Sequence, residues 1–335
     1  MEVPCVVVAR SNGEQTRQAL AKAGVLSEDY QIVHDEGTLY IPVTDPAAVP
    51  ERFETTTREL PPRQTVQTPA DILGFEPSLE RLGDVVILDE DDSERAREIA
   101  EAVIESDLSA RSVLNRASKI KGELRVRDWE LLAQSDEADV DRKPTETIHR
   151  EYGHEFLLDL DSVYFSPRLA TERNRVVQEI DEDEHVLDMF AGVGPFAIPA
   201  ASRGATVVAV DLNETAVDYL RKNAERNGVS DHITAIAGDV REAAADYYGW
   251  ADRLVMNLPH SANEFVETAV DLAGEECVIH YYDIQHDSEP FGPGIETIRA
   301  AAEPAYEVTV ETEHVVRSYA PHELNVCLDV RLTRR

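Results

Sequence analysis

Acidic side chains follow successive apolar segments in the second half of the chain, at positions suited to binding a nucleoside. Asp188 opens the segment Asp-Met-Phe-Ala-Gly-Val-Gly, which follows one apolar run and precedes a helical pattern. Asp211 comes nineteen residues after Gly192, at the end of the next apolar run. Glycines let the loop turn sharply and approach a ligand, and an acid at that interval can bind both hydroxyls of a ribose. The spacing predicts a nucleoside-binding loop; the alternative is a tight strand–helix turn with an exposed capping Asp.

The position of Asp188 indicates which nucleoside is bound. A dinucleotide such as NAD places its pyrophosphate at the start of the helix, where a carboxylate in the loop is unfavourable. The cationic methionine portion of S-adenosylmethionine suits Asp188 far better. Asp239 ends a third apolar run, where it can read the amino group of adenine, and Asn257-Leu-Pro259 ends a fourth. We therefore expect S-adenosylmethionine as the cofactor.

These side chains need a parallel sheet to bring them together. Apolar runs alternate with helical patterns from about residue 166 onward, and this alternation predicts a parallel sheet with its ligand at the carboxyl ends of the strands. The predicted strands are 185–190, 205–212, 233–239, 253–258 and 277–284. The predicted helices are 194–202, 213–227, 261–273 and 294–302. Two last strands, 306–318 and 323–332, follow each other without a long helix.

Two smaller α/β domains are predicted before this sheet, at residues 1–60 and 71–160, so that the sheet domain spans 161–335. A polar stretch with three prolines at 55–70 is predicted to be a linker. In the second domain, an acidic run at 89–92 precedes a helix beginning at residue 93. Carboxylates there stabilise the helix dipole, which favours a structural role over a metal site. A strand is predicted at 155–165.

The chain is strongly acidic, since 66 acidic and 32 basic residues give a net charge of −34 over 335 residues. A nucleic-acid binder usually shows a basic surface. However, an acid excess spread over the whole chain is typical of a halophile's cytoplasmic protein, whose self-repulsion is screened by salt. The composition therefore does not exclude an RNA substrate. No apolar run approaches the roughly 20 residues that span a bilayer, and we expect a soluble cytoplasmic protein with no membrane association.

Residues 111–127 form a basic segment, with six basic residues and one acid. It is either a phosphate-contacting surface or a solvated face that balances nearby acids, and the sequence does not decide between them. An acidic, turn-rich insertion is predicted at 134–145. The three cysteines are far apart and the histidines lack metal-ligand spacing, so we expect neither disulfides nor a metal site.

Several motifs together resemble the archaeal and eukaryotic tRNA (guanine-37-N1)-methyltransferases. They are Val-Tyr-Phe-Ser-Pro-Arg-Leu-Ala-Thr-Glu-Arg at 163–173, Asp-Met-Phe-Ala-Gly-Val-Gly-Pro-Phe at 188–196, Asp-Leu-Asn at 211–213 and Asn-Leu-Pro-His at 257–260, with further matches at 147–151, 280–282 and 317–321. The resemblance implies a Rossmann-like class I methyltransferase domain, with a mostly parallel sheet and an antiparallel last strand. It also implies a monomer that binds the anticodon loop and the elbow of tRNA, the elbow through its first domain.

The resemblance also implies roles for individual residues. Guanine N1 carries a proton, so a base must remove it while donors stabilise charge on O6. Glu172 matches the family's base, although spacing alone favours a helix-surface carboxylate paired with Arg168 or Arg175. Asn257 and Arg125 match the O6 donors, with Arg127 as the alternative arginine. The expected cofactor-binding residues are Tyr164, Arg168, Asp188, Phe190, Ala191, Gly192, Gly194, Asp211, Leu212, Asn213, Asp239, Val240, Asn257 and Pro259.

Three other functions compete with this one. A related transferase moves the aminocarboxypropyl group of the same cofactor in wyosine synthesis and shares the Phe-Ala-Gly loop, but Asn-Leu-Pro-His and Thr-Glu-Arg fit the methyltransferase better. A non-catalytic RNA-binding relative would not need the acids at 188, 211 and 239. A nicotinamide-dependent dehydrogenase is the least favoured.

Overall fold

The computed structural model describes residues 2–35, 37–63, 66–136, 139 and 142–335 and divides the chain into two compact units, Met1–Gln67 and Thr68–Arg335. The helices are α1 (Gly13–Lys22), α2 (Pro69–Leu73), α3 (Ser93–Glu105), α4 (Ala170–Gln178), α5 (Ala197–Ser202), α6 (Glu214–Arg226), α7 (Val240–Ala243), α8 (Val266–Leu272) and α9 (Gly292–Ala302). The strands are β1 (Glu2–Ala9), β2 (Val33–Asp35), β3 (Thr38–Pro42), β4 (Glu54–Glu59), β5 (Glu80–Leu82), β6 (Val85–Leu88), β7 (Ser112–Arg116), β8 (Trp129–Gln134), β9 (Glu146–Glu151), β10 (His154–Asp159), β11 (His185–Asp188), β12 (Thr206–Asp211), β13 (Ile233–Ala237), β14 (Ala251–Met256), β15 (Ala273–His286), β16 (Tyr306–Ala320) and β17 (Glu323–Arg334). Within the described residues, no helix has the length and apolar character needed to cross a membrane.

The first unit is a four-stranded antiparallel sheet in the order β2-β3-β1-β4, with α1 packed on it. Val6 of β1 packs with Leu20 of α1 and Ile41 of β3 in a small core. The prediction of a linker from residue 55 is wrong at its start, because β4 pairs with β1. This strand is polar and largely exposed on both faces, so no apolar alternation marked it in the sequence.

The second unit begins with the four-stranded sheet β5-β6-β7-β8, on which α3 packs. The carboxylate of Asp92 accepts hydrogen bonds from the backbone N–H groups of Glu94 and Arg95. The predicted structural role of the acidic run before α3 is thereby confirmed. A two-stranded hairpin, β9 and β10, follows.

The largest sheet has seven strands in the order β13-β12-β11-β14-β15-β17-β16. The strands from β11 to β15 pair in parallel, and β17 is antiparallel to both of its neighbours. This confirms the predicted mostly parallel sheet with an antiparallel last strand. The chain order reverses at β11, which lies between β12 and β14. Such a switch point opens a crevice at the carboxyl ends of the strands, where ligands bind in open α/β sheets.

Some local predictions differ from the structure. Strand β10 ends at Asp159 rather than at 165, because the chain leaves the hairpin and becomes irregular before α4. The short helix α7 was not predicted. Of the insertion predicted at 134–145, residues 137, 138, 140 and 141 lie outside the described residues, whereas Arg142 and Lys143 pair with Asp84 and Asp159.

Candidate active site

The glycine loop after β11 is fastened to the end of β12. The backbone N–H of Gly192 donates to Oδ2 of Asp211 at 2.7 Å, and the N–H of Asn213 donates to Oδ1 at 2.8 Å. Gly192 has a φ of +54°, a left-handed conformation that favours glycine. The structure therefore brings together Gly192 and Asp211, which the sequence predicted to act on one ligand.

Asp188 lies at the end of β11, at the switch point of the sheet, and is buried. Its Oδ1 accepts a hydrogen bond from the N–H of Phe190 at 3.3 Å, whereas Oδ2 is buried without a partner among the described residues. Burial, with a contribution from the charge of Asp211, raises the pKa of Asp188 to about 8. Because a buried carboxylate without a counter-ion is costly, the site fits a ligand that brings a cation. The sulfonium and ammonium groups of S-adenosylmethionine have that charge.

Leu212 and Asn213, which follow β12, differ in how much of each side chain is available to a ligand. Leu212 is 49% exposed, so its apolar surface is available to a flat base beside Asp211. Asn213 is buried and already bonded, because its Oδ1 caps α6 and its Nδ2 donates to the carbonyl of Ser162 at 2.7 Å. Asn213 therefore shapes the site through the backbone, holding α6 to the segment that precedes α4.

At the end of β13, Asp239 is engaged by its own helix. Its carboxylate accepts a hydrogen bond from the backbone N–H of Arg241 at 3.0 Å and pairs with the guanidinium of the same residue. These contacts lower the pKa of Asp239, and a base that reads this carboxylate must share it with Arg241. Val240 beside it is buried in the core.

The remaining predicted loop residues contribute mainly packing. A Cβ added to Gly194, whose φ is +93°, would lie 2.9 Å from Cγ1 of Ile198, so this glycine permits close helix packing. Ala191 is buried, and its N–H donates to the carbonyl of Val210 at 2.8 Å. Phe190 packs edge-to-face against Phe265, with ring centroids 5.0 Å apart.

A cavity of about 1160 Å³ lies at the carboxyl edge of the large sheet. Five predicted site residues line it, namely Arg125, Tyr164, Arg168, Asn257 and Pro259. The acids at 188, 211 and 239 and Glu172 are not among its lining residues, as far as the described chain shows. The predicted site residues therefore fall into three groups: the acids at the strand ends, the residues that line the cavity, and Glu172.

The arginines of the cavity fall into two classes. Arg116 and Arg168 share the carboxylate of Glu80, at 2.7 and 2.9 Å. Over the residues that the structure describes, Arg125, Arg127 and Arg317 have no carboxylate partner, although the chain carries a charge of −34. Burial lowers the pKa of the Arg125 and Arg127 guanidinium groups. Unpaired guanidinium groups in a cavity indicate an anionic or acceptor-rich ligand.

The basic segment 111–127 therefore has two parts. Arg111 is buried, pairs with Asp84 and donates to backbone carbonyls, so it is structural. Arg125 belongs to the loop that follows β7 and has a φ of +55°, which is uncommon for a residue other than glycine. Arg127 lies over the ring of Trp129, 5.5 Å from its centroid. Both arginines line the cavity, so the choice between them for guanine O6 stays a prediction.

Glu172 lies in α4 and is 5% exposed, within a network of buried polar side chains. The guanidinium of Arg175 donates to both carboxylate oxygens, at 2.9 and 2.8 Å. The hydroxyl of Tyr282 donates to Oε1 at 2.8 Å, and Nε2 of His314 lies 3.2 Å from Oε2. The pairing with Arg175 that spacing favoured is thus present, but the Glu172 carboxylate is buried rather than at the helix surface.

The comparison with known proteins assigns the chain to a family. Residues 5–51 match the tRNA methyltransferase 5 N-terminal domain, residues 69–137 the TYW2 N-terminal domain and residues 147–311 the TRM5/TYW2 methyltransferase domain. The tRNA (guanine(37)-N(1))-methyltransferase Trm5b of Pyrococcus abyssi is 38% identical over 340 residues, covering 98% of this chain and 98% of that protein. The chain belongs to the tRNA (guanine(37)-N(1))-methyltransferase family.

A solved structure and a second class of relative place the chain within this family. The complex of aTrm5 with tRNALeu has a TM-score of 0.72 and 33% identity, covering 98% of this chain and 99% of that one. The tRNA(Phe) (4-demethylwyosine(37)-C(7)) aminocarboxypropyltransferase of Pyrococcus horikoshii is 34% identical, but the match covers 75% of this chain and 88% of that protein. The methyltransferase match is the more extensive.

Sequence reasoning missed several cavity residues of this family member. Arg317, Tyr319 and Asn325 come from β16 and β17, and His260 follows Pro259; all four line the cavity. Nε2 of His260 lies 3.0 Å from the hydroxyl of Tyr319. The motifs at 257–260 and 317–321 were signals for three of these residues, but nothing in the sequence indicated that the hairpin of β16 and β17 reaches the end of β14.

Proposed function

We propose that this protein transfers a methyl group from S-adenosyl-L-methionine to N1 of guanosine 37 of tRNA, next to the anticodon. Full-length similarity to the methyltransferase family supports the reaction. Within the structure, the observation that carries it is Oδ2 of Asp188 at the switch point of the sheet, which is buried and has no partner among the described residues. A carboxylate in that position fits a cationic nucleoside, and the cavity lies next to the ends of the adjoining strands.

We assign the cofactor to the strand ends. S-adenosylmethionine supplies a methyl group on a positively charged sulfur. Asp188 faces its cationic groups, Asp211 binds the ribose hydroxyls, and Leu212 packs on adenine, whose amino group lies near Asp239. The full proposed set also includes Tyr164, Arg168, Phe190, Ala191, Gly192, Gly194, Asn213, Val240, Asn257 and Pro259.

We assign the chemistry on guanine to three side chains. Glu172 takes the proton from N1, and Arg125 and Asn257 donate hydrogen bonds to O6, where negative charge builds up. The cavity accommodates a base that has left its stack, since the edge carrying N1 must be exposed. Glu172 lies behind the cavity wall. Tyr282, which donates to Glu172, and Cys327, which accepts from its partner Arg175, are each two residues from cavity-lining positions on the same strand faces.

We also propose how the tRNA is held. The first domain, residues 1–60, binds the tRNA elbow, and the domain at 71–160 and the methyltransferase domain at 161–335 bind the anticodon loop. Arg125, Arg127 and Arg317 lack carboxylate partners across the described residues, which supports contacts with the RNA. We expect a monomer that works in the cytoplasm, with the charge of −34 suited to the high salt of a halophilic archaeon.

The direct test is methyl transfer from labelled S-adenosylmethionine to a tRNA transcript with G37, in molar KCl. A transcript with A37 and the Glu172→Gln protein are run beside it, and the product nucleoside is identified by mass and retention. The proposal expects N1-methylguanosine that disappears with A37 and falls steeply with the glutamine variant.

Other outcomes separate the competing functions. Full activity of Glu172→Gln contradicts the assignment of the base but leaves the reaction intact. Cofactor binding without methyl transfer to G37, together with transfer of the aminocarboxypropyl group to a wyosine precursor, favours the related transferase. Binding of tRNA without binding of S-adenosylmethionine indicates a non-catalytic relative.

A further inference from the structure

The motif His280-Tyr281-Tyr282 lies on β15, behind the cavity, and its role is not explained by ligand contacts. His280 and Tyr282 point to the same face of the sheet, because side chains alternate along a strand. Tyr281 points to the other face. Both tyrosines are 1% exposed, so this motif acts on neighbouring protein groups rather than on a ligand directly.

Tyr282 contacts the carboxylate that we propose as the base. Its hydroxyl donates to Oε1 of Glu172 at 2.8 Å. Burial, together with the charge of neighbouring groups, raises the pKa of Tyr282 well above its usual value, so the hydroxyl keeps its proton and remains a donor.

His280 holds the second partner of Glu172 from behind. Arg175 donates to Asp329 at 2.6 and 3.2 Å as well as to Glu172, and Asp329 in turn lies 2.6 Å from Nδ1 of His280. Nε2 of His280 lies 2.7 Å from Nη1 of Arg253. Because a guanidinium only donates, Nε2 must accept, so the proton of His280 is on Nδ1 and points at Asp329.

The two oxygens of Glu172 are therefore held differently. Oε1 is bonded to the buried Tyr282 hydroxyl and to Arg175. Oε2 is bonded to Arg175 and lies 3.2 Å from His314, whose side chain is 39% exposed. His314 can move into solvent at little cost, whereas the buried Tyr282 cannot. Oε2 is thus the oxygen that a substrate can reach by displacing one partner.

We propose that Tyr282 is a positioning residue for proton transfer, fixing Oε1 of Glu172 so that Oε2 faces N1 of the target guanine. The inference rests on the proposed function, in which Glu172 is the base. The N1–H bond breaks, the proton goes to Oε2, and the electron pair left on N1 forms the bond to the methyl group as the sulfur–carbon bond gives its pair to sulfur. The proton then leaves Oε2 to water after the product has gone.

Removing the Tyr282 hydroxyl has a defined effect on the pH profile. The groups around Glu172 are Arg175 and Glu179 on α4, Tyr282 and His280 on β15, His314 on β16, and Cys327 and Asp329 on β17. Tyr282 stabilises the ionised carboxylate by donating to it. Without that donor the ionised carboxylate is less stable, so the acid limb of the rate profile moves to higher pH.

The test compares Tyr282→Phe with Tyr281→Phe in single-turnover methylation of a G37 transcript between pH 5 and pH 9 in molar KCl. Tyr281 is the matched control, since it is equally buried and its hydroxyl contacts Asp283 at 3.2 Å instead. For Tyr282→Phe we expect a rate about tenfold lower at pH 7, unchanged affinity for S-adenosylmethionine and an acid limb at higher pH. Tyr281→Phe keeps the wild-type rate and profile.

A second variant, Asp329→Asn, changes the same network and should move the acid limb of the pH profile in the opposite direction. Asp329→Asn removes one of the negative charges that compete with Glu172 for Arg175, so the ionised Glu172 carboxylate gains stability and the acid limb moves to lower pH. If Tyr282→Phe and Tyr281→Phe have the same profile, or if Asp329→Asn does not move the limb, the inference is wrong. Failure of the proposed function is recognised separately, by wild-type protein that does not methylate G37 or by Glu172→Gln that does.

Discussion

The backbone N–H of Gly192 and Oδ2 of Asp211 lie 2.7 Å apart, and this bond joins the loop after β11 to the end of β12. Asp211 thus shapes the loop, and in the proposed function it also binds the ribose. We expect Asp211→Asn to weaken S-adenosylmethionine binding by about 10- to 100-fold, since charge-assisted hydrogen bonds to the loop and to the ligand are both lost. Calorimetry measures the dissociation constant directly.

The control for this variant is Asp218→Asn, which changes an exposed carboxylate of α6 that pairs with Arg221. Its dissociation constant should equal that of the wild type. An unchanged affinity for Asp211→Asn would show that Asp211 does not contact the ligand.

Cofactor binding should depend on pH through Asp188. Its pKa is raised to about 8 in the free protein by burial and by the charge of Asp211, whereas a cationic ligand favours the ionised carboxylate. Below pH 8, binding is therefore coupled to the release of a proton from Asp188. The affinity for S-adenosylmethionine then falls by about tenfold for each unit by which the pH is lowered. Calorimetry at pH 6, 7 and 8 in buffers of different ionisation enthalpy measures both the affinity and the proton release.

The Asp188→Asn variant distinguishes the titration of Asp188 from the titration of other groups. The variant binds more weakly at pH 8, and its affinity should be nearly constant between pH 6 and 8. A wild-type affinity that is flat over this range, with no proton release, would contradict the assignment of Asp188 to the cationic part of the ligand.

Arg125 should matter for the reaction but not for folding. Within the described chain its guanidinium has no carboxylate partner to lose, so Arg125→Ala should leave the unfolding temperature unchanged. Loss of a donor to developing charge on O6 should lower the single-turnover rate by about 100-fold or more. Arg127→Ala, measured in parallel, identifies which arginine contacts O6, because the other variant should have the smaller effect.

The matched surface variant is Arg221→Ala, which removes an arginine from the exposed side of α6. It should methylate at the wild-type rate. If Arg125→Ala and Arg127→Ala both match Arg221→Ala, neither arginine acts on the guanine.

Gly194 should be more sensitive to a methyl group than another glycine of similar backbone conformation. A Cβ at Gly194 would approach Ile198 to 2.9 Å and Leu220 to 3.3 Å, whereas one at Gly228, with a φ of +70°, would meet nothing within 4 Å. We expect Gly228→Ala to cost about 1 kcal/mol, from backbone strain alone. Gly194→Ala should cost about 2 to 4 kcal/mol, because overpacking adds to the strain.

Denaturant unfolding of the two variants gives both free energies of unfolding relative to the wild type. Equal losses of stability would mean that α5 and α6 move apart easily, and that the close packing at Gly194 does not contribute to the free energy of unfolding.

The strand ends were predictable because they follow from local pattern. Period and composition place an acid at the end of β11 and of β12 and just after β13, and parallel strands bring such residues to one edge of the sheet whatever the details of packing. The bonds of these acids were less predictable. Asp239 is held by Arg241, and Asn213 by α6 and Ser162, because these side chains are close to competing donors and acceptors that a spacing rule does not count.

The surroundings of Glu172 were even less predictable from the sequence. The spacing of Glu172 to Arg175 predicted a pair on a helix surface, and the pair exists, but the Glu172 carboxylate is buried and also contacts Tyr282 and His314. These two residues are more than 100 positions away in the sequence. Burial by residues of other strands depends on how α4 packs against the sheet, which no local period of α4 encodes.

The sequence by itself determined the parallel sheet, the acids at its carboxyl edge, the cofactor they suit and, through its motifs, the family. Only the tertiary structure decided which arginines of 111–127 are structural and which line the cavity, that the hairpin of β16 and β17 completes that cavity, and that Glu172 is buried and bonded to Tyr282. The physical reason is range: strand period and loop glycines act between neighbours in the chain, whereas burial and pairing of charged groups depend on segments that folding brings together.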